Sequence, residues 1–278
     1  MLQSARQFLR LLLSLETRLE RLQVAVGRIE ARQLQQSTNV ADSDFGVFSQ
    51  FGEDGILQQL VRRVAIPNRL FVEFGVESYR ECNTRFLLTK DYWSGLVLDA
   101  SDENIAEIRS SSVYWRHRLA AKRAFIDAGN INALLADSGV RGDIGLLSID
   151  IDGNDYWIWE AITAVRPRVV IIEYNAAYPP PVAFVAEYKA DRVWDGGNYH
   201  SASLTSLEAL GRAKGYALVG CNLSGANAFF VREDELTGSD GQARFAAPYT
   251  AAHHYEPPRY DLSGPSGHHA GIGLWVDV

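Results

Sequence analysis

Apolar positions along residues 2–36 recur every three or four places. Phe8, Leu12, Leu15, Leu19, Leu22, Val26 and Ile29 are spaced 4, 3, 4, 3, 4, 3. That is the a/d seam of a heptad repeat, and it predicts a long helix with a narrow sticky edge. The segment holds no proline and a single glycine, Gly27, and charged side chains fill the other faces. A narrow seam on a charged helix calls for a partner helix, so the first expectation is a homo-oligomer built on a coiled coil. A helix folded back on its own domain is the alternative. Peripheral contact with anionic lipid is a third reading, because six arginines outweigh three glutamates and Leu9, Leu11 and Leu13 widen the apolar face.

Residues 37–47 are polar and read as a linker. Beyond them the period changes repeatedly. Gln50 to Val64 has helical spacing and is stopped by Pro67. Short apolar runs then alternate with helical stretches. The expected strands are Arg69 to Phe74, Gly95 to Leu98, Ala121 to Ile126, Ile144 to Ile149 and Arg168 to Ile172. The expected helices start near Thr84, Glu103, Ile131 and Tyr156. Near-continuous apolar strands between helices predict a parallel sheet covered on both faces, and the right-handed crossover makes it doubly wound. Ser203 to Lys214 reads as a further helix. Gly215 to Cys221 and Ala226 to Arg232 read as strands joined by the turn at 222–225, a terminal antiparallel hairpin. The fold class is therefore α/β, with a Rossmann-like doubly wound sheet over residues 48–235, an N-terminal helix over 1–36 and a tail over 236–278.

Composition narrows the function. The net charge is −7, which disfavours non-specific nucleic-acid binding. Cys82 and Cys221 stand far apart, so neither a disulfide framework nor a cysteine metal site is expected. No stretch approaches the roughly 18 apolar residues of a membrane span, and no signal peptide is evident. The expected location is the cytoplasm.

The candidate chemistry lies at strand ends. Glu73, Asp99, Asp127, Asp150 and Glu173 each close an apolar strand. In an open parallel sheet these carboxyl ends share one edge, where ligands bind. Gly75 allows close backbone approach after the first strand. Asp99, after the second, is placed to accept both hydroxyls of a ribose. A dinucleotide would call for G-x-G-x-x-G, but only Gly75 is present, and Glu77 and Glu81 would repel phosphate. A nucleoside carrying a cationic sulfonium fits better. The turn from Ser148 to Asp155 carries Asp150, Asp152 and Asp155, with Glu173 and Asn175 at the neighbouring strand end. Asp152, Glu173 and Asn175 are a candidate hard-cation set for Mg2+; capping of the next helix is the alternative. His200, in the aromatic and polar segment 194–200, is a candidate general base. The AYPPP segment at 177–181 is expected to shape a lid or substrate wall.

Five of these segments, FVEFGVE (71–77), ECNTR (81–85), GLVLD (95–99), LLSIDIDGNDYW (146–157) and VVIIEYN (169–175), resemble the FkbM-like branch of S-adenosylmethionine-dependent methyltransferases. The resemblance runs from roughly Phe48 to Arg232. It implies a class I methyltransferase sheet that binds S-adenosylmethionine. Glu73 and Gly75 match the first cofactor motif, Asp99 the ribose acid, Phe125, Ile126 and Asp127 the adenine segment, and Asp150 and Asp152 the acids near the methyl donor. The pair Asp152 and Glu173 also looks like the metal layout of macrocin-type sugar O-methyltransferases. The implied reaction is methyl transfer to a hydroxyl of a saccharide, glycan or lipid-linked glycan, with Asp152 or His200 as proton acceptor. A small secondary metabolite is an alternative acceptor. A non-catalytic coiled-coil assembly protein and a nucleotide-dependent oxidoreductase are the rival classes. His253, His254, His268 and His269 carry no third-ligand pattern for zinc.

Overall fold

The computed structural model describes residues 2–34 and 39–260. Seven strands form one sheet: β1 (Leu70–Phe74), β2 (Ser94–Asp99), β3 (Leu119–Arg123), β4 (Gly142–Ile149), β5 (Val165–Glu173), β6 (Tyr216–Cys221) and β7 (Asn227–Arg232). Their order is β3-β2-β1-β4-β5-β7-β6. The first five run parallel, and β7 pairs antiparallel with both β5 and β6. This is the doubly wound sheet with a terminal hairpin that the alternating pattern predicts.

The helices are α1 (Leu2–Gln33), α2 (Glu53–Arg63), α3 (Arg85–Asp91), α4 (Asp102–Ser110), α5 (Ser112–Arg116), α6 (Ile131–Asp137), α7 (Asp155–Ala161), α8 (Leu204–Ala213) and α9 (Ala251–His254). Successive residues of β5 feed opposite layers. Val170 and Ile172 join a core with Trp159, Leu207 and Ile131, and Val169 and Ile171 join one with Ile56, Leu60 and Ile108. Strands buried on both faces need no polar alternation, which explains their unbroken apolar runs.

Three details differ from the sequence expectation. β3 stops at Arg123, so Phe125, Ile126 and Asp127 lie in the loop after it. The Asp127 carboxylate accepts from the Gly129 and Asn130 amides in the turn that leads into α6; this local turn outcompetes the sheet ladder. The described part of the expected linker is folded: Val40 and Val47 are buried, and Ala41–Ser43 form a 3-10 turn. Two buried valines in nine residues outweigh the polar composition around them. Third, α5 was unforeseen; its N-cap Ser111 accepts from the Tyr114 amide.

The β1–β2–β3 and β4–β5 halves wind in opposite directions from the centre, so the switch lies between β1 and β4. A crevice opens there at the carboxyl edge. The segment 255–260 returns across this edge: Tyr255 donates to the Ala176 carbonyl, and the Tyr174 hydroxyl donates to that of Glu256. The apolar stretch 272–276 and His268 and His269 lie outside the described residues.

Candidate functional site

The first strand end sets the geometry. Gly75 takes φ +67, and a Cβ there would fall 1.7 Å from the Asp150 carbonyl oxygen. The β1 and β4 turns therefore touch backbone to backbone, and glycine is needed for that packing as well as for its left-handed conformation. Glu73, just before it, is buried. Its carboxylate accepts from the Asn83 amide, the Thr84 amide and the Thr84 hydroxyl. Asp99 is buried at the end of β2 and accepts from the Glu77 and Ser101 amides and the Asn104 side chain. Loop amides that would cradle a pyrophosphate are thus already held by carboxylates. The site resists phosphate for a structural reason that adds to its missing glycines.

Between these turns lies a cavity of about 50 Å3 lined by Gln50, Phe51, Glu53, Glu73, Gly75, Glu81, Asn83, Asp150 and Asn227, among others. Glu53, from the first turn of α2, is fully buried and accepts from the side-chain amides of Asn222 and Asn227. Burial pushes both Glu53 and Glu73 up to about 7. Asn227 Oδ1 finds no hydrogen-bond partner among the described residues. The cavity is rich in acceptors and poor in donors, so it suits a cationic group bearing N–H bonds.

A second group of acids shares a member with the first. Carboxylate oxygens of Asp150, Asp152 and Glu173 lie within 4.8 Å of one another. Asp155, fully buried, accepts from the Ile151 and Gly153 amides and shapes this turn. Ser201 Oγ stands 2.9 Å from Asp155 Oδ2 and 2.7 Å from Glu173 Oε2. One hydroxyl proton serves one carboxylate at a time. Burial, then repulsion by Glu173, raises Asp150 well above the usual carboxylate range and Asp152 to about 7. The same causes lift Asp155 to about 6. Asp152 and Ser201 hold positive φ values of 55 and 50, as does Glu77 at 46. Such conformations cost free energy outside glycine and cluster at functional sites.

The structure brings Glu73, Gly75, Asp99, Asp150, Asp152, Glu173 and His200 to one edge, and it separates other candidates from them. Asn175 is buried, and its side chain donates to the Asn198 and His200 carbonyls while accepting from the Ala177 amide. It clamps the 198–200 loop and is not available as a cation ligand; Asp150 takes that place. Ile126 packs into the core, while Phe125 remains 41% exposed. His200 is buried with Nδ1 3.5 Å from Glu173 Oε2. Burial pulls its pKa down, but the Glu173, Asp155 and Asp152 charges outweigh that and raise it. A histidine favoured in its charged form is a poor proton acceptor, so His200 is better suited to hold Glu173 in place. Asp152, which water reaches, is the better base.

Sequence reading missed Glu53, Asn222, Asn227 and Ser201. Glu53 was absorbed into a helical pattern, although an acid in a first turn is a recognisable signal. The asparagines sit in a hairpin with no motif of their own. Loop 182–202 folds over the β4 turn: the Trp157 indole donates to the Ala186 carbonyl and the Asn154 amide to that of Lys189. Trp194, 38% exposed, has its ring 6.3 Å from that of His200.

No protein-family model matches this chain, and no curated protein does. Solved structures do. A putative O-methyltransferase from Klebsiella pneumoniae aligns at TM-score 0.43 and 16% identity, over 75% of this chain and 96% of that one. The N-terminal domain of EvdMO1 with SAH bound aligns at 0.43 and 13%, over 74% and 94%. An S-adenosylmethionine-dependent methyltransferase from Clostridium acetobutylicum ATCC 824 aligns at 0.41 and 11%, over 65% and 90%. The likeness lies in the path of the chain.

Proposed function

We propose that this chain is an S-adenosylmethionine-dependent O-methyltransferase whose acceptor is a saccharide hydroxyl. One observation carries the reading: Asp150 lines the acceptor-rich cavity beside Gly75 and also belongs to the acid cluster with Asp152 and Glu173. A donor site and a deprotonation site therefore meet at one residue.

The residues present fit the methyl donor. The Asp99 carboxylate at the β2 end suits ribose hydroxyls. The exposed Phe125 ring suits the face of adenine. Glu53, Glu73 and Asn227 Oδ1 suit an ammonium group, the charge type that a cavity rich in acceptors stabilises. When bound, S-adenosylmethionine supplies an electrophilic methyl group. The protein aligns the acceptor oxygen, and Asp152 takes its proton. A carboxylate with pKa about 7 is matched to that task near neutral pH. His200 and Ser201 hold Glu173 and Asp155 so that the cluster keeps its shape. Trp194 offers an apolar ring face beside the cluster, as sugar rings require.

A second reading of the cluster is supported by its three converging oxygens. Asp150, Asp152 and Glu173 would hold a divalent cation such as Mg2+, an all-oxygen donor set suited to a hard ion. When bound, the ion supplies positive charge that makes a nearby hydroxyl more acidic. A non-catalytic scaffold would gain nothing from carboxylates whose crowding opposes folding at neutral pH.

The deciding experiment incubates the protein with S-adenosylmethionine and a saccharide panel and follows S-adenosylhomocysteine formation. Turnover is expected, with Asp152→Asn reducing kcat by roughly 10²–10⁴ while calorimetric binding of S-adenosylhomocysteine persists. Loss of turnover in a chelator, restored by Mg2+, selects the second reading of the cluster. Absence of S-adenosylhomocysteine binding to the wild-type chain sinks the proposal.

A further inference from the structure

Segment 255–260 crosses the carboxyl edge and is tied to it at successive points. The Tyr255 hydroxyl donates to the Ala176 carbonyl. Tyr174, which follows Glu173, donates its hydroxyl to the Glu256 carbonyl and accepts from the Glu256 amide. The Arg259 amide donates to the Ser224 carbonyl in the turn between β6 and β7. A Cβ on Gly225, at φ +75, would fall 2.5 Å from the Pro257 carbonyl oxygen. Segment and turn therefore meet backbone to backbone, an approach that glycine permits. The crossing ends at Tyr260, whose ring lies 6.0 Å from that of Phe51 and is tilted by 51°.

Phe51 lines the cavity beside Gly75. It also aims the buried acid at the centre of that cavity. Its amide donates to Glu53 Oε2. Its carbonyl accepts from the Asn222 side chain, which donates to Glu53 Oε1 as well. Both oxygens of Glu53 are thus oriented through Phe51 and the turn on which segment 255–260 rests. The Phe51 ring and amide share one Cα, so a ring that loses its packing takes the amide with it. Tyr260 also lies within electrostatic reach of the acid cluster, since burial, then the Glu173 charge, pushes its phenol up.

Building on the methyl-donor assignment of the cavity, we propose that Tyr260 is a positioning residue for the amino-acid end of the donor: its ring backs Phe51, and Phe51 aims the Glu53 carboxylate that receives the ammonium group. The ribose and adenine ends are assigned to Asp99, at the end of β2, and Phe125, in the loop after β3. Strands β1, β4 and β5 stand between these and the hairpin that carries segment 255–260. Tyr260 therefore acts on one end of the donor and not on the other. A tyrosine that merely covered the domain would show no such preference.

Two ligands separate these roles. S-adenosylhomocysteine and 5′-methylthioadenosine share adenine and ribose, and the first alone carries the amino-acid end. Calorimetry on the full chain is expected to show S-adenosylhomocysteine binding weakened roughly threefold to tenfold in Tyr260→Ala, the effect of losing an aromatic pair. 5′-Methylthioadenosine should bind that variant as it binds the wild type. Tyr260→Phe keeps the ring and should restore S-adenosylhomocysteine affinity. Tyr260→Leu, which keeps bulk and so guards against an unfolded alanine variant, should show the same split between the two ligands. Wild-type S-adenosylhomocysteine affinity in Tyr260→Ala and Tyr260→Leu, an equal loss for both ligands, or failure of phenylalanine to rescue would each overturn the proposal. A wild-type chain that binds neither ligand overturns the donor assignment itself, a result distinct from those three.

Discussion

A methyl group on Gly75 would sit 1.7 Å from the carbonyl oxygen of Asp150. The two turns that end β1 and β4 are in backbone contact, so the cavity and the acid cluster cannot move independently. Gly75→Ala adds that clash to a positive φ that alanine tolerates poorly. The expected result is a loss of about 1–3 kcal/mol in stability and weakened S-adenosylhomocysteine binding, read by chemical denaturation and calorimetry. An unchanged affinity in a fully folded variant would detach Gly75 from the site.

Asp99 holds the Glu77 and Ser101 amides and is assigned to ribose. Asp99→Asn keeps the volume and removes the charge. Hydrogen bonds to a charged group contribute about 1.5–3 kcal/mol, so affinity for S-adenosylhomocysteine should fall roughly tenfold to a hundredfold. 5′-Methylthioadenosine, which shares the ribose, should lose a similar factor. Equal affinity in variant and wild type would leave the ribose assignment without support.

The pH dependence of stability follows from Glu53. Its pKa is raised from 4.5 to about 7 by burial. Below pH 4.5 the carboxyl is neutral in both folded and unfolded chains and costs nothing. Above it the unfolded chain ionises first, so stability falls as pH rises toward 7 and then levels. With 1.36 kcal/mol per pKa unit, the change is about 3 kcal/mol as an order of magnitude. Melting curves between pH 5 and 8 should therefore decline for the ligand-free wild type and decline less for Glu53→Gln. Parallel curves for the two proteins would show that Glu53 ionises freely in the folded chain.

The Trp194 ring lies 6.3 Å from that of His200, whose Nδ1 is 3.5 Å from Glu173 Oε2, and Trp194 does not line the cavity beside Gly75. Trp194→Ala should raise KM for the saccharide acceptor by roughly twofold to tenfold, the effect of removing an aromatic contact of about 0.5–1.5 kcal/mol, while S-adenosylhomocysteine affinity stays constant. A change in donor affinity with acceptor KM unaltered would place the tryptophan on the wrong ligand.

Much of this architecture was readable from local pattern. The central parallel strands each carry an apolar run that ends at an acid, because a strand buried on both faces has no room for polar residues until it leaves the sheet, whereas the edge strand β3 leaves Lys122 and Arg123 exposed. The heptad spacing from Leu12 to Ile29 likewise reports a helix edge without reference to anything else. Local pattern does not say what such an acid holds: Asp127 binds the Gly129 and Asn130 amides in the turn before α6, and Asp99 binds the Glu77 and Ser101 amides.

Sequence alone determined the alternation of elements, the class of sheet and the acids that reach its carboxyl edge, because period and chain direction are local properties. Tertiary structure decided which polar groups face one another. Glu53 meets Asn227 across 174 positions, Ser201 meets Asp155 across 46, and Asn175 turns away to clamp a loop. It also decided which face of α1 is spent on the body, where Ala31 is buried, and which is left bare, where Leu19 and Leu22 are exposed. Such pairings depend on the separation and rotation of elements packed in three dimensions, and no spacing along the chain encodes them.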